Sequence, residues 1–137
     1  MIYLLDTNAV VALLRNRPPT VRERLRRRIA HGGRIAVSSI ALFELWYGVA
    51  RSRQPELNAE RLQLFLSGDV TAVDFGEQDA PVAGELGRTL QAVGRPIGAY
   101  DLLIAAQALR AGVTLVTANV AEFARVPGLV CEDWTAA

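Results

Sequence analysis

The sequence predicts an α/β protein, a three-layer sandwich with a mainly parallel central sheet, and three observations carry that expectation. Short apolar segments at Ile2 to Leu5, Ile35 to Val37, Val70 to Val73 and Val113 to Thr117 alternate with stretches of helical period. These segments read as apolar on both faces, the mark of strands covered above and below rather than on one side. A chain of 137 residues with 51% hydrophobic content supports one sizeable core. Residues 1–137 are therefore read as a single domain.

Each element follows from its own punctuation. The run Ile2 to Leu5 stops at Asp6, and Ala9, Val10, Leu13 and Leu14 continue at helical spacing, so a buried strand feeds a helix. Pro18-Pro19 breaks that helix, and Thr20 is placed to cap a second, arginine-rich one that runs to Ala30 and ends at Gly32-Gly33. After the strand at Ile35, Ser38 or Ser39 caps a helix reaching about Arg51. Pro55 to Ser67 repeats the helical pattern through Leu57, Leu62, Leu64 and Phe65, and a third strand spans Val70 to Val73. Glu77 to Val93 reads as a helix weakened by Pro81, Gly84 and Gly87, and Gly94 to Gly98 as a loop. Tyr100 to Ala111 has the clearest helical pattern, followed by strands at Val113 to Thr117 and Leu129 to Cys131. In open parallel sheets the ligand site lies beyond the carboxyl ends of the strands, and Asp6 and Asn119 fall at two such places.

Composition removes several kinds of chemistry. All 15 basic side chains are arginine, which excludes a P-loop lysine, a Schiff-base lysine and a Ser/Lys dyad. His31 and Cys131 are the sole residues of their types, so neither a Cys/His zinc cage nor an intrachain disulfide can form. None of the serines at 38, 39, 52 and 67 lies in a nucleophile elbow. The apolar start carries Asp6 and lacks a basic leader, unlike a signal peptide, and no apolar run approaches the roughly 18 residues of a membrane span. The expected location is the cytoplasm. Carboxylates remain as the catalytic material.

Three carboxylates sit where solvated ones are not expected. Asp101 shares a helical stripe with Ile104, Ala105, Ala108 and Leu109, so a charge heads an apolar face. A first-turn acid favoured by the helix dipole is the plain alternative, and Asp6 has a similar one as a helix cap. Glu44 is flanked by Leu42, Leu45, Trp46 and Val49 on one side and by Ile40, Phe43, Tyr47 and Ala50 on the other. A carboxylate enclosed in this way needs an arginine or a metal. Convergence of all three without a cation would be repulsive. Oxygen-only ligation selects a hard ion, Mg²⁺ or Mn²⁺, which suits chemistry on phosphates.

Leu4-Leu5-Asp6-Thr7-Asn8, the segment Ser38 to Gly48 around Phe43-Glu44-Leu45-Trp46-Tyr47, and the segment Pro96 to Ala105 around Tyr100-Asp101 resemble the PIN-domain ribonucleases. The resemblance is nearer to the VapC toxins of bacterial toxin-antitoxin pairs, whose closing motif is similar to Thr117 to Phe123 followed by Val126-Pro127-Gly128-Leu129. It spans nearly the whole chain. It implies a Mg²⁺-dependent endoribonuclease with Asp6, Glu44 and Asp101 at the acidic, metal-binding positions. Asn119 stands where many members have a fourth acid, and Glu122 is placed to deputise for it. Thr7, Asn8 and Thr117 take supporting positions. The resemblance also implies a small VapB-type antitoxin as partner and a homodimer.

The net charge of +1 hides an uneven distribution. Eight arginines between positions 15 and 34 stand against Glu23, leaving that stretch at +7 and the rest at −6. Arg24, Arg27 and Arg28 are therefore candidate RNA contacts, a basic arm that would offset the repulsion between an acidic centre and a polyanion. A solvated helix face is the alternative. Two other functions remain open at this point. One is a PIN-like module that binds RNA or protein without cutting, suggested by Asn119. The other is a haloacid-dehalogenase-type phosphatase, which would need an acid where Asn8 stands and a lysine the chain lacks.

Overall fold

The computed structural model describes residues 1–136. The chain runs β1 (Ile2–Leu5), α1 (Thr7–Arg15), α2 (Pro19–Ala30), β2 (Arg34–Ser38), α3 (Ser39–Ala50), α4 (Pro55–Leu66), β3 (Val70–Val73), α5 (Asp79–Ala92), α6 (Ala99–Ala111), β4 (Thr114–Val116), α7 (Val120–Phe123) and β5 (Cys131–Glu132). The five strands form one parallel sheet in the order β3-β2-β1-β4-β5. From β1 the chain moves outward through β2 to β3, then returns across the sheet to β4 beside β1. Right-handed crossovers in opposite directions place helices on both faces of the sheet. The reversal also creates a switch point between β1 and β4, where open α/β sheets hold their ligands.

The central strands are apolar on both faces because both are covered: Leu5, Val37 and Leu115 are fully enclosed. Helix α1 adds Val10 and Leu13 to this core, and α6 adds Ile104, Ala105 and Ala108. Edge strand β3 is different, since Thr71 and Ala72 are exposed. Gly112 and Gly33 are among the glycines that geometry requires. Gly112 closes α6 at φ +66°, and a Cβ at Gly33 would stand 2.7 Å from the Arg28 carbonyl oxygen and 2.9 Å from the Tyr3 ring.

Several boundaries depart from the sequence reading. Thr20 is not a cap: Pro18 holds that position, and the Thr20 hydroxyl donates instead to the Thr135 carbonyl at 3.2 Å. Helix α5 begins at Asp79 rather than Glu77, because the Asp79 carboxylate accepts the Gly76 amide at 2.8 Å and closes a turn there. The last strand lies at Cys131–Glu132, slightly later than expected, and the four-residue α7 is too short to show a period. No helix among the described residues is long and apolar enough to cross a membrane.

Candidate active site

The candidate carboxylates reach the site by different routes: Asp6 ends β1, Glu44 lies in the second turn of α3 after β2, and Asp101 lies in the first turn of α6 after the loop that follows α5. Asp6 follows β1 directly and is 5% exposed. Its Oδ1 accepts the Ala9 amide at 2.7 Å, capping α1. Both readings of Asp6, cap and site residue, thus apply to the same side chain. Burial pushes its carboxyl above the ordinary value, with Glu44 and Asp133 adding negative charge; the Thr117 hydroxyl and the Ala9 amide act in the opposite sense.

Glu44 comes from α3, which Ser38 starts by accepting the Ile40 amide at 3.0 Å. The Thr7 hydroxyl donates to Glu44 Oε1 at 2.7 Å, joining α1 to α3 beside Asp6. The expected enclosure of Glu44 by bulky neighbours does not occur. Phe43, Trp46 and Tyr47 are exposed, and the core is served by Ala41 and Leu45 of the same helix. The Glu/Arg alternative fails as well, since the ion pairs among the described residues are Arg28–Glu132, Arg88–Glu85 and Arg110–Asp79.

Asp101 lies in the first turn of α6, half-buried, with its carboxyl pushed up to about 6. Burial is the main cause, followed by the negative charges of Glu122, Asp6 and Glu44 and a hydrogen bond with Glu122. Glu122 therefore belongs to the cluster. Its Oε1 accepts the Gly98 amide at 3.1 Å, and its Oε2 accepts the Asn119 side-chain amide at 2.6 Å. Asn119 is exposed and orients Glu122, while Thr117 Oγ1 accepts the Asn119 backbone amide at 2.9 Å. Asn8 is exposed in the first turn of α1.

Asp133 was not singled out in the sequence, yet its charge reaches Asp6. It follows β5 as Asp6 follows β1, so the same strand-end rule would have found it had the strand been read to Glu132. The basic arm, in contrast, makes no ion pair with Asp6, Glu44 or Asp101 among the described residues. Helix α2 ends at the turn into β2, whose first residue Arg34 pairs with Ile2, so the backbone of its last turn lies toward the opposite sheet edge from Asp6, while the Arg28 side chain reaches Glu132, aligned with Val116 and Leu5 in the sheet register. Four residues of β1, about 13 Å, separate the two edges. Arg28 is moreover engaged by Glu132 at 2.9 Å and lies over the Tyr3 ring.

Among the described residues, no group of three or more His, Cys, Asp or Glu side chains stands close enough together to hold a metal ion. The donor chemistry nonetheless fits a hard divalent cation: the groups are all oxygen donors, and the repulsion that adds to burial in raising Asp101 is what a cation would relieve. Mg²⁺ commonly takes one or two carboxylates and completes its shell with water, so a closed cage is not needed.

An open parallel sheet with acids gathered at its switch point describes a class of phosphoryl-transfer proteins. The chain belongs to the PIN-domain family, whose sequence profile matches residues 3–129. It is 42% identical over 134 residues to ribonuclease VapC2 of Rickettsia felis, with 98% of both chains covered. It is 37% identical over 133 residues to the tRNA(fMet)-specific endonuclease VapC of Shigella flexneri, covering 97% of this chain and 98% of that one. Its fold matches VapBC2 from Rickettsia felis bound to a promoter DNA fragment with a TM-score of 0.91 and 41% identity, over 98% of this chain and 99% of that one. For DNA-bound VapBC from Salmonella typhimurium the TM-score is 0.89 at 36% identity, over 98% of each chain.

Proposed function

We propose that the chain, acting as one unit over residues 1–137, is a VapC-type endoribonuclease, the toxin of a VapBC-type pair, that hydrolyses RNA phosphodiester bonds with Mg²⁺. The observation that carries this reading is the gathering of Asp6, Glu44, Asp101 and Glu122 beside the β1/β4 switch point of a PIN fold. Ribonucleases of the family generally depend on a divalent metal. Asp6, Glu44 and Asp101 would hold it, with Mn²⁺ as a substitute ion. When bound, the cation supplies charge neutralisation at the phosphate and a more acidic water.

The chain's own residues arrange that chemistry. Thr7 fixes one oxygen of Glu44, leaving the other free, and the helix cap fixes the Asp6 carboxylate. Gly98 and Asn119 hold Glu122 against Asp101, so Glu122 provides the fourth negative charge that Asn119 lacks. The non-cleaving alternative rested on that lack and loses its support. The phosphatase alternative falls with membership of the PIN family.

The partner is a VapB-type antitoxin, in keeping with the VapBC assemblies that the chain matches in fold. We further take the cytoplasm as the compartment, a homodimer as the working form, and Arg24 and Arg27 as phosphate contacts distant from the cut. The central test is RNA cleavage by the purified chain with and without Mg²⁺. Asp101→Asn and Glu44→Gln are expected to abolish it while the fold persists. Cleavage surviving in either folded variant would remove that residue from the site.

A further inference from the structure

The two helices that carry Glu44 and Asp101 also carry aromatic rings directly beside them. Phe43 precedes Glu44 on α3, Tyr100 precedes Asp101 on α6, and the two rings meet edge to face with centroids 5.7 Å apart. Tyr47, one turn beyond Phe43, lies 6.1 Å from it with ring planes 21° apart. One turn further, the Arg51 guanidinium lies over the Tyr47 ring, 5.1 Å from its centroid. Spacing of four residues puts positions 43, 47 and 51 in one row along the helix. The rings hold one another in place yet face water: Phe43 is 53% exposed, Tyr47 57% and Tyr100 46%. Core packing does not account for them.

The surroundings select what would cover these rings. The carboxylate cluster repels a polyanion until a cation is bound, and Arg28 of the basic arm is already paired with Glu132. Attraction that does not depend on phosphate charge would therefore help to hold an RNA at the cluster. Stacking of bases on aromatic faces supplies it, and only unpaired bases have faces to offer. Arg51, at the end of the row, adds a cation for a phosphate beyond the carboxylates. We propose that Phe43, Tyr47 and Tyr100, with Arg51, form a stacking platform that binds unpaired bases of the RNA and sets its register at the carboxylates. The proposal rests on the nuclease reading above and adds substrate-positioning residues to it.

The test is fluorescence anisotropy of a labelled single-stranded 12-nucleotide RNA, in an Asp101→Asn background that prevents cutting. The same RNA with abasic sites keeps its phosphates and loses its bases. Phe43→Leu with Tyr100→Leu, or Tyr47→Leu alone, is expected to weaken binding of the intact RNA by about fivefold or more. Abasic RNA should bind weakly and equally to parent and variants. Phe43→Trp, which keeps a ring, should retain the parental affinity, and melting curves check that each variant folds. Unchanged affinity for intact RNA would overturn the platform and turn the rings over to a protein partner. Equal losses on intact and abasic RNA, or no binding of intact RNA by the parent, would overturn it as well. Cleavage of the same RNA with Mg²⁺ by chains that retain Asp101 separates the two readings. Lack of cutting by the parent, with lost affinity in the leucine variants, would sink the nuclease reading alone, whereas cutting by the parent with unchanged affinity in those variants would sink the platform alone.

Discussion

Asp6 carries two duties on one carboxylate, and substitution can separate them. Asparagine caps a helix about as well as aspartate, whereas alanine costs about 1 kcal/mol at such a position. Asp6→Asn should therefore leave the urea midpoint close to the parent while RNA cleavage disappears, and Asp6→Ala should lose cleavage and stability together. If Asp6→Asn retained cleavage, Asp6 would be a cap only. Asn119 presents the reverse case, a neutral side chain whose use depends on a charged neighbour. Its amide donates to Glu122, so Asn119→Asp removes the donor and sets another anion against Glu122 and Asp101. In the metal-free protein, thermal melts should rank Asn119→Asp below Asn119→Ala and both below the parent. Saturating Mn²⁺ should narrow the gap for the aspartate variant. Identical melts for the two variants would mean that charge at this position goes unfelt.

Helix α5 is attached to α6 through Asp79, whose side chain is 1% exposed and receives the Arg110 guanidinium. Burial alone would raise the Asp79 carboxyl, but the Arg110 guanidinium and the Gly76 amide outweigh it and hold the group below its ordinary value of 3.8. A depressed folded value means the clasp contributes fully above 3.8 and fades as pH falls through the folded value. Arg110→Met should cost about 1–3 kcal/mol in urea unfolding at pH 7. That deficit should shrink as the pH falls below 3.8 and through the lower folded value, where the carboxyl becomes neutral; a deficit constant with pH would assign the loss to packing. Helix α2 is read differently now that its place is known. Reversing Arg28 would break its pair with Glu132, so the informative variant is Arg24→Glu with Arg27→Glu. If both arginines meet phosphates, the slope of log K against log salt should flatten by about two. An unaltered slope would leave α2 without a role in RNA binding.

The switch point between β1 and β4 gathers residues from four separate segments, and a cation there would tie them together. Saturating Mg²⁺ should raise the melting temperature, with a gain of about 2.7 kcal/mol at a hundredfold excess over Kd. The double variant Asp101→Asn with Glu44→Gln should lose that gain, and a gain that survived would place the ion elsewhere. Much of this arrangement was legible beforehand because strand and helix periods are local properties. Apolar runs ended by Asp6 and by Ser38, and a glycine stop at Gly112, need no distant partner to be read. The acids at 6, 44 and 101 were visible because charge on an apolar pattern is a local anomaly. What surrounds them was not, since enclosure depends on which helix packs on which: Glu44 has Thr7 beside it, 37 positions away, rather than a wall of side chains. The same holds for the exposure of Phe43 and Tyr47, which periodicity alone had placed around a buried acid. Thus the sequence by itself determined the α/β alternation and the parallel sheet, and it singled out Asp6, Glu44 and Asp101 as candidate acids. Only the tertiary structure decided that Glu122 joins Asp101 through Gly98 and Asn119, that Arg28 of α2 is taken up by Glu132, and that aromatic rings stand open beside the carboxylates. Those outcomes turn on crossover direction and helix packing, which bring together residues whose separation along the chain carries no local signal.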